Sequence, residues 1–143
     1  MTLKNIDENA IITIISTQIS PEGEETVEFA TDGTFYQRGG KFYIFYNESE
    51  EMDMANCSVM IIADGERVTM RRKGDFELKL NYVAGESENV VYYMPFGEMN
   101  MTQTTHSVSS SFNDGGGVIK IDYTLTIGGG EQQNKIEIKV KRK

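Results

Sequence analysis

The sequence predicts an all-β protein, an antiparallel up-and-down barrel of about 8–10 strands with little or no helix. Three observations predict it. Apolar and polar residues alternate with period two along most of the chain, as in Leu78-Lys79-Leu80-Asn81-Tyr82 and Ile119-Lys120-Ile121-Asp122-Tyr123. Turn-forming dipeptides recur roughly every ten residues. Every link is short enough for a hairpin, whereas a parallel pair needs a crossover of a dozen or more residues. A meander leaves two edges to protect, and closure into a barrel removes both. A two-sheet sandwich would need a long return connection, which only residues 47–56 could supply.

The first strand is Ala10 to Ser20, rich in Ile and Thr and closed by Pro21-Glu22-Gly23. Glu24 to Thr31 is the second, with Val27 and Phe29 on one face. Asp32-Gly33 is either a turn or a bulge within one long bent strand. Thr34 to Gln37 and Lys41 to Glu48 form a hairpin about Gly39-Gly40, because glycine supplies the positive φ that tight hairpin turns require. Ser49 to Asn56 is too short for a helix and reads as a loop. Cys57 to Ala63 pairs with Arg67 to Lys73 across Asp64-Gly65. Gly74-Asp75 then turns the chain into Phe76 to Val83, where Phe76, Leu78, Leu80 and Tyr82 share a face. After a polar turn from Ala84 to Asn89, Val90 to Met94 leads to Pro95-Phe96-Gly97. A long strand runs from Glu98 to about Phe112. Asn113 to Gly117 turns into Val118 to Ile127, and Gly128-Gly129-Gly130 into a last strand, Asn134 to Lys141.

At 143 residues the chain, 1–143, is a single domain able to bury a core without disulfides or a structural metal. Its one cysteine, Cys57, forms no internal disulfide, which fits a reducing cytoplasm. The first apolar run, Ala10 to Ile15, follows Asp7-Glu8 and lacks the basic start of a signal peptide. No run approaches the roughly 20 apolar residues of a membrane-spanning helix, so the protein is expected to be soluble with no membrane partner. The net charge of −8 resides in residues 1–56, which hold 11 acidic and 3 basic side chains. That balance argues against binding the phosphate backbone of nucleic acid. Lys135, Lys139 and Lys141 alternate with Ile136, Ile138 and Val140 and read as the wet face of the last strand.

Chemistry-bearing motifs are sparse. His106 stands alone among Thr, Gln and Ser and has no partner spacing for a zinc site. Cys57 has no neighbouring base and reads as a structural thiol. There is no nucleophile elbow, P-loop, dinucleotide fingerprint or EF-hand loop. The acidic run Glu48, Glu50, Glu51, Asp53 lacks the register of a calcium loop and reads as solvated. These residues give no catalytic pair, no metal site and no cofactor, and the reading leans away from an enzyme.

The functional signal is apolar rows that turn polar on one face. Phe42, Ile44 and Tyr46 continue into Glu48, and Val68 and Met70 continue into Arg72. Met99 and Met101 continue into Gln103, Thr105, Ser107 and Ser109. If these rows face inward, Glu48 and Arg72 meet at the rim and pair. A solidly filled barrel has no use for such groups, whereas one holding a ligand does. Tyr46, Glu48, Met70, Arg72, Tyr92, Met99, Met101, Gln103 and Thr105 are therefore the candidate ligand-binding residues. Methionine suits a pocket that adapts to varied apolar ligands, although it fills core gaps as readily. Tyr43 and Phe45 then face outward as an exposed aromatic pair, a candidate homodimer interface.

Several ordered segments resemble one family. They are Asp32-Gly33-Thr34-Phe35-Tyr36, Tyr43-Ile44-Phe45-Tyr46-Asn47-Glu48-Ser49-Glu50, Val68-Thr69-Met70-Arg71-Arg72-Lys73-Gly74, and Tyr92-Tyr93-Met94-Pro95-Phe96-Gly97 with Thr105. In that order they resemble the YwiB-like family of small bacterial proteins of unknown function, which have a lipocalin-like (calycin) β-barrel. Met94 and Phe96 stand where the family pattern has threonine and tyrosine. The resemblance implies a barrel, a cytoplasmic setting and a dimer, and it implies no activity.

The residues thus support a binding module whose lumen takes a small apolar or amphipathic ligand, with an anionic end near Arg72. The alternative is a structural or protein-interaction module acting as a homodimer without a ligand. An enzyme is third.

Overall fold

A computed structural model describes residues 8–48 and 56–143. The loop expected at Ser49 to Asn56 falls almost wholly outside the described residues, as do Glu50, Glu51 and Asp53 of the acidic run.

Ten antiparallel strands follow one another: β1 Ala10–Ser20, β2 Gly23–Arg38, β3 Lys41–Asn47, β4 Ser58–Asp64, β5 Arg67–Lys73, β6 Leu78–Val83, β7 Ser87–Met94, β8 Gly97–Asn113, β9 Gly116–Ile127 and β10 Gly130–Arg142. No helix occurs among the described residues. The strand order is β6-β5-β4-β3-β2-β1-β10-β9-β8-β7, a pure meander whose first and last strands pair, with Ile14 opposite Ile138. This is the up-and-down barrel that the alternation predicts.

The barrel is nearly closed, and its seam lies between β6 and β7. At one end of the seam Glu77 and Tyr93 exchange two backbone hydrogen bonds of 2.9 Å. At the other, Gly85 N–H donates to the Thr105 carbonyl at 2.9 Å and Thr105 N–H to the Glu86 carbonyl at 3.0 Å. In between, the Glu88 carboxylate accepts from Asn81 N–H at 2.7 Å and from Asn81 Nδ2 at 3.2 Å. A side chain thus satisfies a strand-edge donor that no facing carbonyl reaches.

Two strands are longer than their neighbours because each changes partner along its length. β2 pairs with β1 up to Gly33 and with β3 from Thr34 onward. Asp32-Gly33 is therefore a bend within one continuous strand. A Cβ at Gly33 would run into Ile12 and the Phe45 carbonyl, so only glycine lets the strands approach there. β8 pairs with β7 and then β9, with a bulge at His106 between Thr105 and Ser107. One inserted residue reverses which face each later side chain takes. The inward row Met99, Met101, Gln103, Thr105 consequently continues as Val108 and Phe112, and Ser107 and Ser109 face out, contrary to the simple alternation. The Gly39-Gly40 turn forms as expected, both residues having positive φ, +59° and +79°.

The core is the barrel interior: Ile12, Ile14, Phe35, Ile44, Ile61, Val68, Leu80, Ile119, Ile121 and Ile138 among others. One end is sealed by stacked rings. Phe35 lies 5.9 Å from Phe42 and 5.7 Å from Phe112, and Phe42 lies 5.1 Å from Phe112. The Arg142 guanidinium covers Phe35 at 5.2 Å, and Ser110 Oγ donates to the Gly65 carbonyl at 2.9 Å. The opposite end, toward the β1–β2, β7–β8 and β9–β10 turns, holds the lumen.

Candidate functional site

The lumen has a volume of about 390 Å³ and a mainly apolar lining, including Ile14, Phe29, Leu80, Leu125, Ile136 and Ile138. That is within the range of small-molecule sites, roughly 300–1,000 Å³. Of the candidate ligand residues, Tyr46, Glu48, Met70, Arg72, Tyr92, Met99 and Met101 all line it.

Strand register brings the polar members together. Tyr46 on β3 stands opposite Val59 on β4, Val59 opposite Arg72 on β5, and Arg72 opposite Leu78 on β6. Glu48 follows Tyr46 by two residues and so stays on the inner face. Arg72 Nε donates to Glu48 Oε1 at 2.6 Å, and Nη2 donates to Oε2 at 3.5 Å. Nη1 reaches the Tyr92 hydroxyl at 3.4 Å from across the seam. The pair expected from the apolar rows therefore forms, with the Glu48 side chain only 4% exposed and that of Arg72 15%.

Burial works against the Arg72 cation. The Glu48 hydrogen bond and charge, with the nearby Tyr92 and Tyr46 hydroxyls, outweigh it and raise its pKa above the usual arginine value. Burial pushes the Tyr46 hydroxyl well up, Glu48 pushes it further, and Arg72 offsets only part of this. Burial likewise raises Tyr92 against the opposing pull of Arg72. The corner is thus one charge pair flanked by two neutral phenols.

Gln103 and Thr105 do not line the lumen. Both are fully buried, with Gln103 Nε2 donating to Thr105 Oγ1 at 2.6 Å. Both side chains lie in the packed interior rather than on the lumen wall, and Gln103 Oε1 has no hydrogen-bond partner among the described residues. The outer face of β3 also differs from expectation. Tyr43 is half-buried and stacks on Tyr36, ring centroids 4.9 Å apart, but Phe45 is only 9% exposed. The aromatic partner of Tyr43 on that face is Tyr36, which stands opposite it in the register.

Several lumen residues escaped the sequence reading: Ser16, Gln18, Gln132 and Asn134, with Phe29 and Tyr123. The same signal marks the polar ones, since Ile12 and Ile14 continue into Ser16 and Gln18, and Val140, Ile138 and Ile136 into Asn134 and Gln132. Tyr123 packs at 60° against Tyr82, centroids 5.0 Å apart, and burial raises both hydroxyls. Cys57 is buried, accepting from Phe76 N–H at 3.4 Å, which is the structural role expected of it. His106 is exposed on the bulge, 2.6 Å from Thr124 Oγ1. No group of three or more metal-ligating side chains occurs among the described residues.

Residues 12–139 match the profile of a family described as a domain of unknown function, DUF1934. The chain belongs to this family. It is 29% identical over 122 residues to the uncharacterized beta-barrel protein YwiB of Bacillus subtilis (strain 168), covering 85% of this chain and 84% of that protein. The crystal structure of the ywiB protein from Bacillus subtilis superposes with a TM-score of 0.85 at 24% identity, covering 94% of this chain and 92% of that one. The YwiB-like resemblance and the barrel are therefore both established, and neither carries an activity.

Proposed function

We propose that this family member is a binding module whose lumen holds a small, mainly apolar molecule, in a cytoplasmic setting. The observation that carries the reading is the built polar corner in an otherwise apolar cavity of about 390 Å³. Burying an ion pair gains little stability over packed apolar side chains of the same volume. A folded barrel would lose little stability by placing leucine and methionine at positions 48 and 72. Glu48 and Arg72, with Tyr46 and Tyr92 beside them, are what a site needs to orient one polar end of an apolar molecule.

The test is a neutral environment-sensitive dye, N-phenyl-1-naphthylamine, titrated into the protein. One-to-one binding with enhanced fluorescence is expected, and Ser16→Phe, which places a ring in the lumen, should abolish it while the strand signal in circular dichroism persists. A dye that ignores the wild-type protein, or binds Ser16→Phe equally well, contradicts the proposal.

A second reading has one observation of its own. The outward Tyr36–Tyr43 stack, with Tyr36 38% exposed, is an aromatic patch of the kind that packs against a second copy. Homodimerisation through that patch predicts that Tyr36→Ser with Tyr43→Ser leaves only monomer in sedimentation at high concentration.

A further inference from the structure

The polar corner also bears on which molecules the lumen admits. Among the described residues lining the lumen, Glu48 and Arg72 are the only charged side chains, and their charges cancel. The Arg72 charge is already matched by a carboxylate at 2.6 Å. An arginine has five N–H donors. Nε uses one on Glu48, Nη2 one on the same carboxylate, and Nη1 one on Tyr92, which among the described residues leaves one N–H on each terminal nitrogen. The Tyr46 hydroxyl lines the lumen beside this pair. The corner therefore offers several hydrogen-bond donors and no surplus positive charge.

A ligand carboxylate or phosphate placed there would sit beside Glu48 with no free cation among the described lining residues to balance it. Two like charges a few ångströms apart in a cavity of low dielectric repel far more strongly than they would in water. The surrounding field acts in the same direction, because the chain carries a net charge of −8 that resides in residues 1–56, the segment that supplies Glu48. A carbonyl, amide, ester or ether oxygen accepts the same N–H and O–H groups without that repulsion. This reverses the expectation of an anionic end near Arg72. That expectation paired Arg72 with Glu48 but left out the repulsion a second anion meets beside a carboxylate only 4% exposed.

Resting on the lumen as a binding site, we infer that its ligands are neutral amphipathic molecules with a hydrogen-bond-accepting end, and that Glu48 is the residue that excludes their anionic counterparts. Replacing Glu48 with glutamine keeps an acceptor for Arg72 Nε and removes one negative charge. The lumen then becomes cationic and should welcome an anion.

The test compares two chains of equal length, decanamide and decanoate, as displacers of N-phenyl-1-naphthylamine from wild-type protein at pH 7.5. Decanamide should displace the dye at a concentration about tenfold or more lower than decanoate. Glu48→Gln should shrink that ratio or invert it, with thermal melting monitored to show that the variant is folded. The wild-type ratio needs no variant, so a poorly folding Glu48→Gln does not remove the test. Wild-type protein that takes decanoate as well as decanamide overturns the selectivity while leaving the lumen a binding site. Protein that binds neither the dye nor either chain overturns the binding reading and this inference with it.

Discussion

Arg72 Nε lies 2.6 Å from Glu48 Oε1, joining β5 to the end of β3 within a cavity wall that is otherwise mostly apolar. Neither side chain is more than 15% exposed. Removing one partner leaves the other buried and uncompensated, so Glu48→Ala should cost about 3–5 kcal/mol in urea denaturation. Replacing both, as Glu48→Leu with Arg72→Met, should recover most of that loss. The double-mutant cycle of Glu48→Gln and Arg72→Gln should give a coupling of about 1–3 kcal/mol. Additive single effects would show that the pair is not coupled.

Glu88 holds the seam where β6 and β7 have no continuous ladder. Glu88→Ala withdraws the acceptor from the Asn81 N–H and should cost about 1–3 kcal/mol. Hydrogen exchange locates the effect: the Asn81 amide should exchange faster, while core amides such as Ile61 and Ile121 change only with global stability.

Gly33 sits where β2 leaves β1 for β3, against Ile12 and the Phe45 carbonyl. Gly33→Ala should therefore destabilise the fold by about 1–3 kcal/mol through overpacking. A lowered denaturation midpoint with unchanged slope would match. An unchanged midpoint would mean that the bend tolerates a side chain.

Alkaline pH supplies a further test. Burial raises the hydroxyl pKa values of Tyr46, Tyr82, Tyr92 and Tyr123 above the ordinary 10.0. Above pH 10 the unfolded chain releases these protons and the folded chain keeps them, so the folded state binds more protons and stability falls as pH rises. Below pH 10 both states are protonated and these residues contribute no pH dependence. Denaturation midpoints should thus hold steady from neutral pH to about 9 as far as tyrosine is concerned and fall steeply from about 10 upward. Absorbance at 295 nm should show part of the tyrosine signal appearing only on unfolding.

The strands and the meander are legible in the sequence because alternation and hairpin glycines are local properties. The Glu48–Arg72 pair is legible too, since two apolar rows turn polar in the same direction. What is not legible depends on single residues in three dimensions. The bulge at His106 has no compositional mark, yet it moves Ser107 and Ser109 outward and Val108 inward. The β6–β7 seam reads like any other hairpin, because Leu78 to Tyr82 and Val90 to Tyr92 carry the ordinary pattern of paired strands. Gln103 and Thr105 lie on the same inward row as Met99 and Met101, and nothing in the alternation marks where that row passes from the lumen wall into the packed core. Phe45 alternates as an outer residue, and its burial is not a property of its strand.

The central claim is that the lumen is occupied when the protein works. Native mass spectrometry on protein purified gently from its own cells tests this most directly, because it retains bound molecules at their natural abundance. The account predicts a complex heavier than the polypeptide by one small neutral molecule, released on denaturation and absent from Ser16→Phe prepared in the same way. Wild-type protein that carries only the mass of its own chain, across preparations from cells in different growth states, would contradict it.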